Sequence, residues 1–111
     1  MKKIDCILRP HKLEEVKTAL SELGITGMTV SEVRGCGSSP SEPGSIGEAV
    51  LIRLPMRLRL EMVVPDEMVE PIIETILRHA RTGQSDDGKI FVLPYQEAIR
   101  VRTEERGEAA L

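Results

Sequence analysis

Between Thr82 and Lys89 the sequence runs TGQSDDGK, with a glycine at 83, carboxylates at Asp86 and Asp87, and then Gly88-Lys89. Backbone amides of a glycine-bearing turn can form a nest for an anion, and a lysine directly after it adds a positive point charge. Asp87 suits such a loop if it accepts amides within the turn and holds its shape without touching the anion. Asp86 is harder to place, because a second carboxylate beside one anion adds repulsion unless it turns to solvent or meets a cation. Arg100 and Arg102 share a face if the segment 98–102 is a strand, and two guanidiniums side by side suit a polyphosphate. A second glycine turn, Arg34-Gly35-Cys36-Gly37, opens a segment of unusual composition. None of these features is specific alone, since Gly-Lys turns are common and paired strand arginines are also what a solvated face carries.

The chain that must position these groups has 111 residues and a formal net charge of -3, with 2% aromatic residues and no Trp. One domain is expected, covering 1–111. A core of this size must be aliphatic, and a partner subunit would help to bury enough surface. The amino-terminal MKKIDCILRP is basic, but its apolar run breaks after Leu8, and no stretch approaches the ~20 apolar residues of a membrane span. A soluble cytoplasmic protein without membrane insertion is expected. Cys6 and Cys36 fall in different expected strands, with neither CxxC spacing nor a histidine pair to complete a metal site, so buried reduced thiols are expected and no metal ligands. The mild negative charge speaks against general polyanion binding.

Lys2–Leu8 alternates as a strand, with Ile4, Cys6 and Leu8 on one face and Lys3, Asp5 and Ile7 on the other. A helix is expected from about His11 to Leu23, on the stripe Leu13, Val16, Leu20 and Leu23, with Gly24 taking the left-handed position after it. GMTVSEVR (27–34) reads as a second strand. From Gly35 to about Gly47 the run GCGSSPSEPGSIG has four Gly, two Pro and four Ser, which predicts a mobile structureless loop, a functional element or a tolerated insertion. MRLRLEM (56–62) alternates strictly, with Met56, Leu58, Leu60 and Met62 opposite Arg57, Arg59 and Glu61. PDEMVEPIIETILRHA predicts a helix capped by Asp66, with Val69, Ile72, Ile73, Ile76, Leu77 and Ala80 in its apolar stripe and a bend possible at Pro71. Strands at Lys89–Leu93 and 98–102 follow. This order gives an α+β fold, a ferredoxin-like split βαβ (βαββαβ) with a four-stranded antiparallel sheet covered by helices on one face. Packing the bare face around a symmetry axis would bury it, so a closed cyclic oligomer is expected.

Three stretches, MKKIDCILRPHKLEEVKTALSELGITGMTVSEVRGCG, ARTGQSDDGKIFVLP and AIRVRTEERGEAAL, resemble the PII signal-transduction family, above all in RTG-x-x-x-D-G-K-I-F and IRVRT-x-E-R-G-EAA. The resemblance implies a homotrimer that binds ATP or ADP between subunits, with Mg accompanying ATP, and acts without catalysis in nitrogen or carbon metabolism. It implies a T-loop at about 37–55 that reaches an unidentified enzyme, transporter or transcription regulator, a B-loop at about 81–89 and a carboxyl-terminal segment at about 98–111. Its adenine side would lie near Ile7, Glu61, Met62 and Val63. Gly35, Cys36 and Gly37 would lie beside the nucleotide at the T-loop base, and Asp87, Gly88 and Lys89 would face its phosphates. Gly27, Met28 and Thr29, with Arg100 and Arg102, would come from the neighbouring subunit.

Several positions depart from that family. Asp86 stands where its members usually have glycine. Ser39 stands where oxoglutarate sensors have the glutamine that helps to hold Mg-ATP, so 2-oxoglutarate is expected to bind weakly or not at all. Arg57 matches a lysine that helps to bind the oxoacid, and remains a candidate contact for a small anion, bicarbonate among them. The only tyrosine, Tyr95, lies outside the loop, and no arginine lies between Gly35 and Ala49. A slow ATPase using Asp86 and Asp87 is an alternative, but two adjacent carboxylates without a positioned nucleophile do not make a site. Direct nucleic-acid binding by Arg57, Arg59, Arg100 and Arg102 lacks the stacking aromatics it would need.

Overall fold

The computed structural model describes residues 1–37, 44–46, 49–51 and 54–111. Its strands are β1 (Lys2–Leu8), β2 (Thr29–Arg34), β3 (Gly44–Ile46), β4 (Ala49–Leu51), β5 (Met56–Val64) and β6 (Gly88–Pro94), and its helices are α1 (Leu13–Glu22) and α2 (Val69–Ala80). Four strands form one sheet in the order β2-β5-β1-β6, every pair antiparallel, while β3 and β4 pair only with each other. This is the split βαβ arrangement. β3 falls inside the stretch from Gly35 to about Gly47 expected to be structureless, and β4 lies just beyond it; residues 38–43, Ser39 included, and 47–48 lie outside the described residues.

Alternation decides what each sheet face does. Ile4, Cys6 and Leu8 of β1 and Leu58, Leu60, Met62 and Val64 of β5 are buried together with Val16 and Leu20 of α1 and Ile72, Ile76 and Ala80 of α2. Each large aliphatic side chain taken from water there contributes roughly 1.5–3 kcal/mol. Burial also raises the Cys6 thiol to about 12, with the Asp5 charge adding to the effect, so that thiol is inert. Cys36, expected buried in a strand, lies exposed beyond the end of β2.

Both helices are shorter than expected because each begins as a 3-10 turn, Pro10–Lys12 before α1 and Asp66–Met68 before α2. Asp66 does not cap: its carboxylate takes the amino-terminal ammonium at 3.0 Å and Lys2 Nζ at 3.2 Å, a stronger pull than a neutral amide. Pro71 is the third residue of α2, where no amide partner is needed, and Thr75 Oγ1 donates to its carbonyl at 2.8 Å. Leu23 and Leu77, placed in the apolar stripes, are 37% and 49% exposed. α1 ends as the glycine predicts: Gly24 has φ +88, its amide donates to the Ser21 carbonyl, and the Ile25 amide donates to Leu20.

The carboxyl-terminal segment differs most from expectation. Residues 98–102 form no strand; a single bridge joins Ile99 to Arg106, and the Arg100 amide donates to Glu105 while the Glu104 amide donates back to Arg100. Glu104 sits at φ +62, and Val101 is 96% exposed. A strand needs a neighbouring strand for its amides, and these residues satisfy theirs locally instead. Arg100 and Arg102 therefore do not share a strand face.

Candidate functional site

The sheet face away from the helices carries a ladder of charges. Ser31, Arg59, Ile7 and Lys89 lie in one row across the four strands, with Thr29, Glu61, Asp5 and Phe91 in the next. Arg59 grips Asp5 with two fingers, Nε to Oδ1 at 3.0 Å and Nη2 to Oδ2 at 2.6 Å. The Arg59 hydrogen bond holds the Asp5 carboxyl below its ordinary range against the opposing effect of burial. Lys3 Nζ meets Glu61 at 2.7 Å and Arg59 reaches the same carboxylate at 3.5 Å.

At the end of that face, where β2 leaves the sheet and the loop before β6 returns, lies a cavity of about 500 Å³. Gly35, Cys36 and Gly37 form one wall, Ile7 and Phe91 the sheet floor, and Asp86, Gly88 and Lys89 the other wall. The base of the segment between β2 and β5 is closed beside it: the Gly35 amide donates to the Pro55 carbonyl at 3.3 Å, and Arg34 Nη1 donates to the Leu54 carbonyl at 3.3 Å.

The two aspartates have opposite orientations. Asp87 turns inward on its own loop, accepting the Thr82 and Gly83 amides at 2.9 Å each, the Thr82 hydroxyl, and Arg9 Nε at 3.2 Å. These donors, the Thr82 hydroxyl first, hold its carboxyl down to about 2. Asp86 points the other way and is buried, with Oδ2 2.7 Å from Arg57 Nη2. The guanidinium proposed from sequence as a small-anion contact thus already has a carboxylate. Gly88 follows at φ +112, pressed so closely on β1 that no side chain fits there. It delivers Lys89, which is exposed, to the edge of the cavity.

Of the residues singled out from sequence, Ile7, Gly35, Cys36, Gly37, Arg57, Arg59, Asp86, Gly88 and Lys89 line one cavity, with Asp87 supporting the loop behind them. Others are elsewhere in the chain. Thr29 lies opposite Glu61 on the ladder, Gly27 and Met28 precede β2, and Val63 lies opposite Lys3. The Met62 side chain is in the core, so only its backbone is available to a ligand. Arg100 and Arg102 do not line the cavity; Arg100 Nη2 donates to the Leu111 carbonyl at 3.0 Å, and Arg102 is exposed. Sequence reasoning missed Arg9, 78 positions from the aspartate it binds, because nothing in the local pattern signals such a contact. It also missed the Asp5–Arg59 pair: Asp5 faces Glu61 and Arg59 faces Ile7, so the two meet diagonally across β1 and β5, and that requires the register, which alternation alone does not give. Among the described residues no three His, Cys, Asp or Glu side chains gather as a metal site.

The nitrogen regulatory protein P-II family model matches residues 1–105. Nitrogen regulatory protein P-II 1 of Escherichia coli K12 is 45% identical over the full length of both chains. The P-II proteins of Klebsiella oxytoca and Haemophilus influenzae are each 44% identical over the same extent. The crystal structure of Arabidopsis thaliana PII bound to citrate superposes with a TM-score of 0.82 at 43% identity, covering 99% of this chain and 91% of that one. The ferredoxin-like sheet, the glycine-bearing loop before β6 and the match over nearly every residue agree, and the chain belongs to the P-II family of nitrogen regulatory signal-transduction proteins.

Proposed function

We propose that this protein is a cytoplasmic, non-enzymatic sensor of ATP and ADP that works as a homotrimer and regulates a target protein through the segment 37–55. The observation that carries this reading is the loop before β6. Asp87 satisfies the loop from inside, Gly88 brings its backbone against β1, and Lys89 stands at the cavity edge. That arrangement suits an anionic group held by amides and a lysine. Nucleotide phosphates would be held there, with Gly35, Cys36 and Gly37 beside them and Ile7, Glu61, Met62 and Val63 on the adenine side. Gly27, Met28, Thr29, Arg100 and Arg102 of a neighbouring copy would complete each site, so each site needs an adjacent subunit of the proposed trimer.

Signalling requires only that ATP and ADP differ in affinity for two arrangements of the segment joining the cavity to the target. The protein contributes binding, orientation and that difference. A slow ATPase based on Asp86 and Asp87 is disfavoured, because one carboxylate is used by Arg57 and the other by Arg9, Thr82 and Gly83. The Arabidopsis protein's citrate supports an anion-accepting site in general.

Calorimetry with ATP and with ADP, each with and without Mg, tests the reading alongside light scattering. Nucleotide binding by a trimer without turnover is expected; a monomer at micromolar concentration, or no heat with either nucleotide, would remove it. Adding millimolar 2-oxoglutarate should leave ATP affinity unchanged, since an effector that does not bind cannot be linked to one that does.

A further inference from the structure

The cavity is lined by four cationic side chains, Arg34, Arg57, Arg59 and Lys89, and by two carboxylates, Asp5 and Asp86. Asp5 belongs to the sheet ladder through Arg59. Asp86 has no such structural duty in its own loop, because the turn is already held by Asp87 on Arg9, Thr82 and Gly83. It leaves the loop instead and buries its charge against Arg57, their side chains 8% and 10% exposed. Its second oxygen faces the opposite wall, where a Cβ placed on Gly37 would stand 3.7 Å from Oδ1. Arg57 is pinned from behind as well, its Nη1 donating to the Met56 carbonyl at 2.9 Å.

We infer that Asp86 is a built-in carboxylate ligand of Arg57 that sets the anion specificity of the cavity, excluding small carboxylates and dicarboxylates while leaving Lys89 and the loop amides to phosphate groups. A ligand carboxylate can use Arg57 only by breaking a buried pair and leaving Asp86 without a partner, or by sitting beside that carboxylate where little water screens the repulsion. Both are unfavourable, because a buried charge stripped of its partner costs more than a new contact of the same kind returns. A phosphate held at Lys89 makes neither demand. This inference rests on the cavity being the effector pocket, and it assigns selectivity to one residue of it.

The test is Asp86→Asn, which keeps the size of the side chain and removes its charge. Malonate is titrated by calorimetry into the full-length wild-type protein and the variant. Wild type should show no binding at millimolar malonate, the variant should gain at least about tenfold in affinity, and adding Arg57→Gln should abolish that gain. Equal malonate binding by wild type and variant, or a gain that survives Arg57→Gln, would overturn the inference. Should the variant be unfolded in plain buffer, circular dichroism with malonate against sodium chloride of equal ionic strength decides: recovery specific to malonate supports the counter-ion role, and none overturns it. ATP and ADP titrated into the same wild-type preparation judge the nucleotide reading separately, so a malonate gain without nucleotide binding, or the reverse, shows which of the two has failed.

Discussion

Gly88 approaches Ile7 so closely that a Cβ on Gly88 would stand 1.8 Å from the Ile7 carbonyl oxygen and 2.9 Å from its carbon. The neighbour is backbone in the sheet and cannot turn aside. Gly88→Ala combines that clash with a φ of +112 that side chains rarely adopt. A loss of at least ~2 kcal/mol is expected, with β6 pushed from β1 at Leu8. Urea unfolding measures the first, and amide exchange at the start of β6 the second; an unchanged midpoint would mean that the loop refits at no cost.

Asp87 gives stability a specific acid limit. Its folded carboxyl lies at about 2 against an ordinary 3.8, so its contribution is complete above the ordinary value and disappears as pH falls through about 2. Asp87→Asn should therefore be less stable than wild type at neutral pH, with the difference shrinking as both are acidified. Urea midpoints across that window provide the check, and a gap that stays constant with pH would remove Asp87 as its cause.

The Asp5–Arg59 pair predicts an asymmetry. Arg59→Met leaves a carboxylate only 12% exposed on its side chain without its main partner, whereas Asp5→Asn with Arg59→Met leaves no orphaned charge. The single change should lower stability, with the loss moderated because Arg59 itself is 40% exposed. The double variant should recover part of that loss, as a denaturation cycle would show.

Arg100 and Arg102 sit on the locally folded carboxyl-terminal turn, away from the core. If they serve a neighbouring copy's nucleotide, Arg100→Ala and Arg102→Ala should each weaken ATP by ~1.5–3 kcal/mol, the usual scale for a hydrogen bond to a charged group. Melting temperature should barely change. Calorimetry giving unaltered affinity in both variants would take them out of the site.

Most of the sheet was legible because its signal is local: alternation in Lys2–Leu8 and Met56–Met62 assigns faces without knowledge of the partner strand. The charges of Asp86 and Arg57 were each half legible. Asp86 called for a cation and Arg57 for a carboxylate, yet nothing in sequence says that loop and strand bring the two within 2.7 Å of each other. Residues 98–102 misled for a complementary reason. Ala-Ile-Arg-Val-Arg alternates well, but alternation describes a surface that a strand could have and cannot supply a neighbour for its amides. The Asp66 cap failed likewise, since the free amino terminus that takes its carboxylate lies 65 positions earlier in the chain.

If the chain assembles as proposed, the charge ladder on the sheet face away from the helices also matters to a single copy before assembly. Phe91 and Leu93 are 49% and 40% exposed there, enough apolar surface to make a flat sheet sticky. Lys3, Glu61, Arg59 and Asp5 run beside them on β1 and β5, already satisfied by one another. A stray hydrophobic segment pressed onto that face must dehydrate this row with nothing to offer it. Such a row disfavours indiscriminate association and favours a surface with matching gaps for the charges, which a copy of the same chain in the proposed assembly would have to offer.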